Sequence, residues 1–66
     1  MRLEKINGKT RRSFGDRITP MYSCEGHIIE MLEMVDGGRS WICEDLGIVA
    51  LTINEMCEKL SEKLGK

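Results

Sequence analysis

The sequence predicts a mainly α fold, a compact core of three helices preceded by a short basic N-terminal arm or hairpin. Three observations point there. Residues 52–64 carry an N-cap, an apolar stripe and a glycine just past the end. Residues 20–35 set apolar side chains at helical spacing, and residues 42–56 place a glycine between two apolar sets. Both are signatures of amphipathic helices joined by a turn. A chain of 66 residues has room for one folding unit with one core. The division expected is an arm over residues 1–17 and a globular domain over residues 18–66.

In the arm, Asn7-Gly8 is a favoured two-residue turn, and residues 2–6 and 9–14 would flank it as a short hairpin. Only Leu3, Ile6 and Phe14 there are strongly apolar, so the hairpin must lean on the rest of the protein. Gly15-Asp16 reads as a joint. Through Arg17 the charges balance at +4, and from Ile18 onward at −5, within a net charge of −1. A basic arm on an acidic body fits either contact with nucleic acid phosphates or pairing of the arm with its own or a neighbour's acidic surface.

Thr19-Pro20 has the form of a helix start, Thr as N-cap and Pro at the first helical position, where its missing N–H costs nothing. Cys24, Ile28, Met31, Leu32 and Val35 then form one stripe, with Glu30 and Glu33 off it. Read as a strand, the same segment puts Glu33 beside Ile29, Met31 and Val35, and Glu30 beside Ile28, Leu32 and Met34. Each face then holds a misplaced carboxylate, so helix is favoured. Gly26 inside it costs about 1 kcal/mol relative to Ala. Asp36-Gly37-Gly38 ends the element as a C-cap or as a hairpin loop.

Ile42, Cys43 and Leu46 follow at helical spacing until Gly47. The alternative pairs residues 40–44 with residues 31–35 across Asp36-Gly37-Gly38 and makes residues 48–51 a further strand. That would give a small α+β fold, a β-hairpin packed by the C-terminal helix. The last element has one reading. Thr52 and Glu55 make a capping box, Leu51 and Met56 its hydrophobic staple. Ile53, Met56, Cys57, Leu60 and Leu64 form the apolar face, and Gly65 stops the helix.

Over residues 39–56 the chain resembles the helix-turn-helix DNA-binding domains of bacteria and phages. The turn glycine, Gly47, is preceded by apolar Ile42, small Cys43 and apolar Leu46 and followed by Ile48, with Ile53 and Met56 on the second helix. The resemblance implies a small regulatory protein, a homodimer on double-stranded DNA. Thr52, Asn54 and Lys59 would lie on the recognition helix. Arg11, Arg12 and Arg17 of the arm would meet phosphate or minor groove. The alternative is a protein-interaction module, a small inhibitor or adaptor without DNA binding, whose partner meets a Trp41 surface.

Cys24-x2-His27 with Cys43 and Cys57 supplies four residues of zinc-ligand type. Only one pair is close in sequence, and Cys57 falls on an apolar helix face, so free thiols and no metal or cofactor are expected. Cys24 and His27 lack a third group to orient them as a nucleophile and base, and no glycine-rich phosphate loop is present, so a non-enzyme is expected. No apolar run approaches the roughly 20 residues of a membrane span, and three cysteines fit a reducing compartment. A cytoplasmic protein is the expectation.

Overall fold

The computed structural model describes residues 3–65, and an antiparallel sheet dominates it. Six strands precede one helix: β1 (Glu4–Lys5), β2 (Arg11–Ser13), β3 (Asp16–Cys24), β4 (His27–Glu33), β5 (Arg39–Cys43), β6 (Ile48–Ala50) and α1 (Ile53–Leu64). A single 3-10 turn, Glu44–Leu46, joins β5 to β6. The strands form a meander in which β3, β4, β5 and β6 are successive neighbours, and β1 and β2 both pair with β3. The expected three-helix core is therefore replaced by the α+β arrangement.

Turn chemistry decided this. Phe14 and Gly15 have φ of 52° and 88°, and Glu25 and Gly26 have φ of 49° and 84°. Two consecutive left-handed residues make the tight turn that matches the twist of antiparallel strands. The first reverses the chain between Ser13 and Asp16, the second between Cys24 and His27. Gly26, inside the expected helix, is thus a hairpin corner, and in place of the expected Gly15-Asp16 joint, Phe14-Gly15 is a turn and Asp16 begins β3. Asp36-Gly37-Gly38 does act as a hairpin loop, since Gly37 N–H donates to the Met34 carbonyl at 3.0 Å and Met34 N–H to the Gly38 carbonyl at 2.8 Å.

Asn7-Gly8, expected to be the hairpin turn, instead lies between β1 and β2 along the edge of β3; Arg2, the first residue of that expected hairpin, lies outside the described residues. Gly8 N–H donates to the Pro20 carbonyl and Ile6 N–H to the Met21 carbonyl. Because the N and O of a residue in an antiparallel strand point the same way, the side of Pro20 without an N–H faces this interrupted strand, and no bond to β4 is lost. A bulge between Pro20 and Tyr22 completes the adjustment, at the kind of position where a sheet accepts proline.

Side chains alternate across the sheet. One face carries Cys24, Ile29, Cys43, Ile48 and Ala50, which form the buried core with Met56 and Leu60 of α1. Leu3, Tyr22, Trp41, Leu46, Ile53 and Leu64 pack around it. Full burial of Met56 and Leu60 contributes roughly 1.5–3 kcal/mol each. The helix begins and ends where the sequence predicts. The Thr52 hydroxyl accepts from Glu55 N–H at 3.1 Å, and Gly65, at φ 72°, donates to the Ser61 carbonyl. Glu55 accepts from Leu51 N–H, not from the Thr52 amide, and Leu51 is exposed, so the expected staple with Met56 is not made.

The edge strand β6 has three residues, and the Lys59 ammonium donates to its Val49 carbonyl at 2.8 Å. A short strand with a lysine over its free carbonyl resists edge-to-edge pairing.

A Cβ built on Gly8 lies 2.4–2.9 Å from the Pro20 ring atoms. Gly8→Ala should therefore lift the first strand off β3, lowering stability by about 1–3 kcal/mol; urea unfolding that is unchanged from wild type would contradict this packing.

Candidate functional site: the open face of the sheet

Alternation that sends Ile29, Cys43 and Ile48 toward α1 sends their neighbours to the opposite face. The register sets Ile18, Leu32 and Ser40 side by side in one row there, and Pro20, Glu30, Ile42 and Val49 in the next. Ile28 extends the face along β4. A solvated sheet face ordinarily carries polar side chains; this one is mainly aliphatic. Ile28 is 42% and Val49 57% exposed, and among the described residues no second layer covers them.

The polar exceptions in these rows are Ser40 and Glu30, each 6% exposed, with Ile18 beside them at 8%, and the charged one is Glu30. Its carboxylate is held by Arg11, which crosses from β2 over β3: Nη1 donates to Oε2 and Nη2 to Oε1 at 3.3 Å. The same Nη2 donates to Glu44 at 3.1 Å. Glu30 and Glu44 hold the guanidinium still more firmly protonated than an arginine in water. One arginine thus serves two carboxylates, and a fork of fixed geometry suits that task better than an ammonium. Arg11, Gly26, Ile28, Glu30, Glu44 and Asp45 line an open cleft of about 450 Å³.

At the end of that cleft, Asp45 is bound by two groups. His27 Nδ1 meets Oδ2, and the Cys43 thiol donates to Oδ1 at 3.2 Å. The His27 contact, then the thiol, hold the Asp45 carboxyl below the usual range. Burial, reinforced by this neighbouring carboxylate, pushes the Cys43 thiol up to about 11. A fully buried thiol with a raised pKa is a poor nucleophile; the trio instead ties the start of β4 to the turn between β5 and β6.

The residues expected to contact DNA do not assemble. Ile42 and Cys43 lie in β5, Leu46 in the 3-10 turn, Gly47 at its left-handed end, Ile48 in β6 and Ile53 and Met56 in α1. The glycine that suggested a turn between two helices is the corner of a β-hairpin, so the helix-turn-helix resemblance and the recognition helix it implied are overturned. Thr52 caps α1, Lys59 is engaged by Val49 and by Glu55 at 3.2 Å, and Asn54 is exposed. Arg11 is committed to Glu30 and Glu44. Arg12 and Arg17 stand directly opposite one another on the helix side of the sheet, beyond α1, with no ion pair among the described residues.

Trp41 is half-buried on the helix side, its ring 5.7 Å from that of Tyr22 and tilted by 45°. Cys24 and Cys43 are buried and Cys57 half-buried, all as free thiols. Among the described residues no three groups of His, Cys, Asp or Glu are placed to hold a metal ion.

Two features went unread in the sequence. Glu30, a lone carboxylate inside Ile28-Ile29-Glu30-Met31-Leu32, needs a cation once both faces of that strand are apolar. Phe14 sits at φ 52° with its ring fully exposed, where Asn, Asp or Gly is the relaxed choice. Comparison of the chain with protein-family models, with curated proteins and with solved structures gives no match in any of the three, so function is argued from the geometry alone.

Removing Arg11 strands the Glu30 carboxylate in an apolar row. Arg11→Ala should lower the thermal midpoint, and adding Glu30→Leu should recover it, because a buried ion pair replaced whole by apolar groups is seldom costly. Equal midpoints for Arg11→Ala and wild type would refute the pairing.

The raised Cys43 pKa sets a second expectation. The unfolded thiol ionises near pH 9 while the folded one stays neutral toward pH 11. Its contribution to stability is therefore fully present below pH 9 and lost as pH rises from 9 to about 11. Urea midpoints across this range should fall more steeply for wild type than for Cys43→Ala.

Proposed function

We propose that this protein is a protein-interaction module, a small adaptor or inhibitor rather than an enzyme, that holds a protein partner on the open face of its sheet. One observation carries the reading. The sheet is apolar on both faces and α1 covers one of them, whereas an antiparallel sheet in a two-layer domain needs apolar residues on one face only. Ile28, Leu32, Ile42 and Val49 supply a dry centre, and Arg11, Glu30 and Glu44 supply charged groups at its margin. That is the composition of a protein-binding patch, with aliphatic anchors inside a polar rim.

The same observation argues against a duplex DNA surface. An apolar face with a surplus of carboxylates in its cleft would repel phosphates, and the arginine in that cleft, Arg11, is already bound to Glu30 and Glu44. Trp41 belongs to the opposite face and is engaged with Tyr22, so the partner surface expected around it is assigned here to the open face.

Replacing Ile28 and Val49 by Lys leaves the core untouched and should abolish capture of partners from an extract of the source cells, while Trp41→Ala retains it. Capture that survives the Lys pair, or duplex DNA binding at low salt that weakens on mutating Arg12 and Arg17, would overturn this function.

A further inference from the structure

We propose that the end of the sheet left bare by α1 is a second protein-docking surface, and that its occupant is an acidic segment of a protein partner with apolar residues among its carboxylates. This surface lies on the side of the sheet away from Ile28 and Val49 and does not depend on what the open face holds.

The strand register builds it. Arg12, Arg17, Glu33 and Arg39 stand in one row across β2, β3, β4 and β5, on the side that carries Trp41 and Cys43. α1 packs on β5 and β6 and stops short of that row. The next row, Thr19, Met31 and Trp41, is half-buried, and Met31 lies outside the core cluster. Past the arginines, two chain reversals project side by side. Phe14 is fully exposed and Val35 78% exposed, and the Val35 side chain lies next to Gly15. Phe14 also holds a left-handed backbone, which a bulky side chain adopts at a cost and Asn or Gly adopts freely. A wholly solvated aromatic kept in a costly conformation has the form of an interface anchor.

Charge identifies the partner. At this end Asp16 accepts from Val35 N–H at 3.2 Å, Asp36 accepts from Gly38 N–H at 2.9 Å, and Glu33 faces Arg39 at 4.0 Å. Arg12 and Arg17 remain, exposed and with no ion pair among the described residues. They stand directly opposite one another. A two-residue turn is closed by a hydrogen-bonded pair, here Ser13 and Asp16, so Arg12 and Arg17 form the non-hydrogen-bonded pair behind it, in which side chains are closest. Like charges placed this way destabilise a sheet, and carboxylates set between the two guanidinium forks relieve the repulsion.

The carboxylates of this end separate a protein segment from other polyanions. A bilayer of anionic lipid or a phosphate backbone presents uniform charge and would meet Asp16, Glu33 and Asp36 as well as the arginines. A single nucleic acid strand also needs open rings to stack on, and Tyr22 and Trp41 are packed against one another. A polypeptide can set carboxylates against Arg12 and Arg17, a neutral residue against Glu33, and aliphatic side chains against Phe14 and Val35.

Fluorescence anisotropy with the labelled acidic peptide ELEELE at low salt tests the surface. Wild type should bind it, and added salt should weaken the complex. Arg12→Gln and Arg17→Gln should each weaken binding by about two- to fivefold, and Phe14→Asn by about tenfold. The free Arg12→Gln and Phe14→Asn proteins should nevertheless show raised thermal midpoints, a combination that misfolding cannot produce. Backbone amide shifts induced by the peptide should cluster in residues 12–17 and 33–39; a cluster in residues 26–30 and 44–49 would move the site to the open face and overturn this one. No binding, or tighter binding to oligothymidylate or phosphatidylserine vesicles than to ELEELE, overturns the acidic protein segment as occupant. Hexaglutamate bound as tightly as ELEELE overturns the part given to Phe14 and Val35. None of these outcomes bears on capture by the open face, which has its own variants.

Discussion

Met56 and Leu60 are the helical side chains taken wholly out of water, and both are buried against the face of the sheet built by Cys24, Ile29, Cys43, Ile48 and Ala50. That contact fixes the rest of the molecule. A helix of 12 residues is about 18 Å long, enough to cover β6, much of β5 and the ends of β3 and β4. It leaves uncovered the far end of its own side of the sheet, where Arg12, Arg17 and Arg39 stand exposed, and does not reach the opposite face, where Ile18, Glu30 and Ser40 are buried but Ile28 and Val49 are exposed. Thr52 and Gly65 set the length of α1 by satisfying the amides and carbonyls at its ends. The extent of covered sheet is thus decided by two capping residues and an apolar stripe.

On the opposite face the controlling interaction is the fork of Arg11 on Glu30. A carboxylate in an apolar row is tolerated only with a cation that reaches both of its oxygens. Arg11 reaches Glu30 because β2 lies beside β3 and the Phe14-Gly15 turn holds it there. The turn, the edge strand and the buried acid therefore depend on one another. The same arginine is extended to Glu44 at the corner between β5 and β6, so that one guanidinium links the first hairpin of the chain to the last.

The closing helix was legible in the sequence because its signals are local: a hydroxyl and a carboxylate three residues apart, a stripe of period 3.6, a terminal glycine. The sheet was not. Strand prediction relies on polar residues marking a solvated face, and residues 27–33 are apolar on both. Cys24, Ile28, Met31 and Leu32, which form a stripe on a helical wheel, lie in the structure on alternate sides of two strands. Pro20 reinforced the error, since proline after threonine is a good helix start and a poor guess for the middle of a strand. Only the contact with Gly8, remote in sequence, makes it acceptable there. The alternative α+β reading did find the hairpin across Asp36-Gly37-Gly38 with the helix laid on it. Of the site, Arg11 was singled out for its charge, but its partner Glu30 could be found only through the strand register.

What defeated the sequence reading is also what points to function. Apolar residues on the open face do nothing for an isolated two-layer domain, and polar ones would have kept it more soluble and its strands easier to recognise. The edges are treated differently: β6 is short and guarded by Lys59, and the opposite edge is broken at Gly8. A chain that closes its edges against association while leaving one face apolar is not indiscriminately adhesive. The apolar face left for association is the one that presents Ile28 and Val49 to solvent.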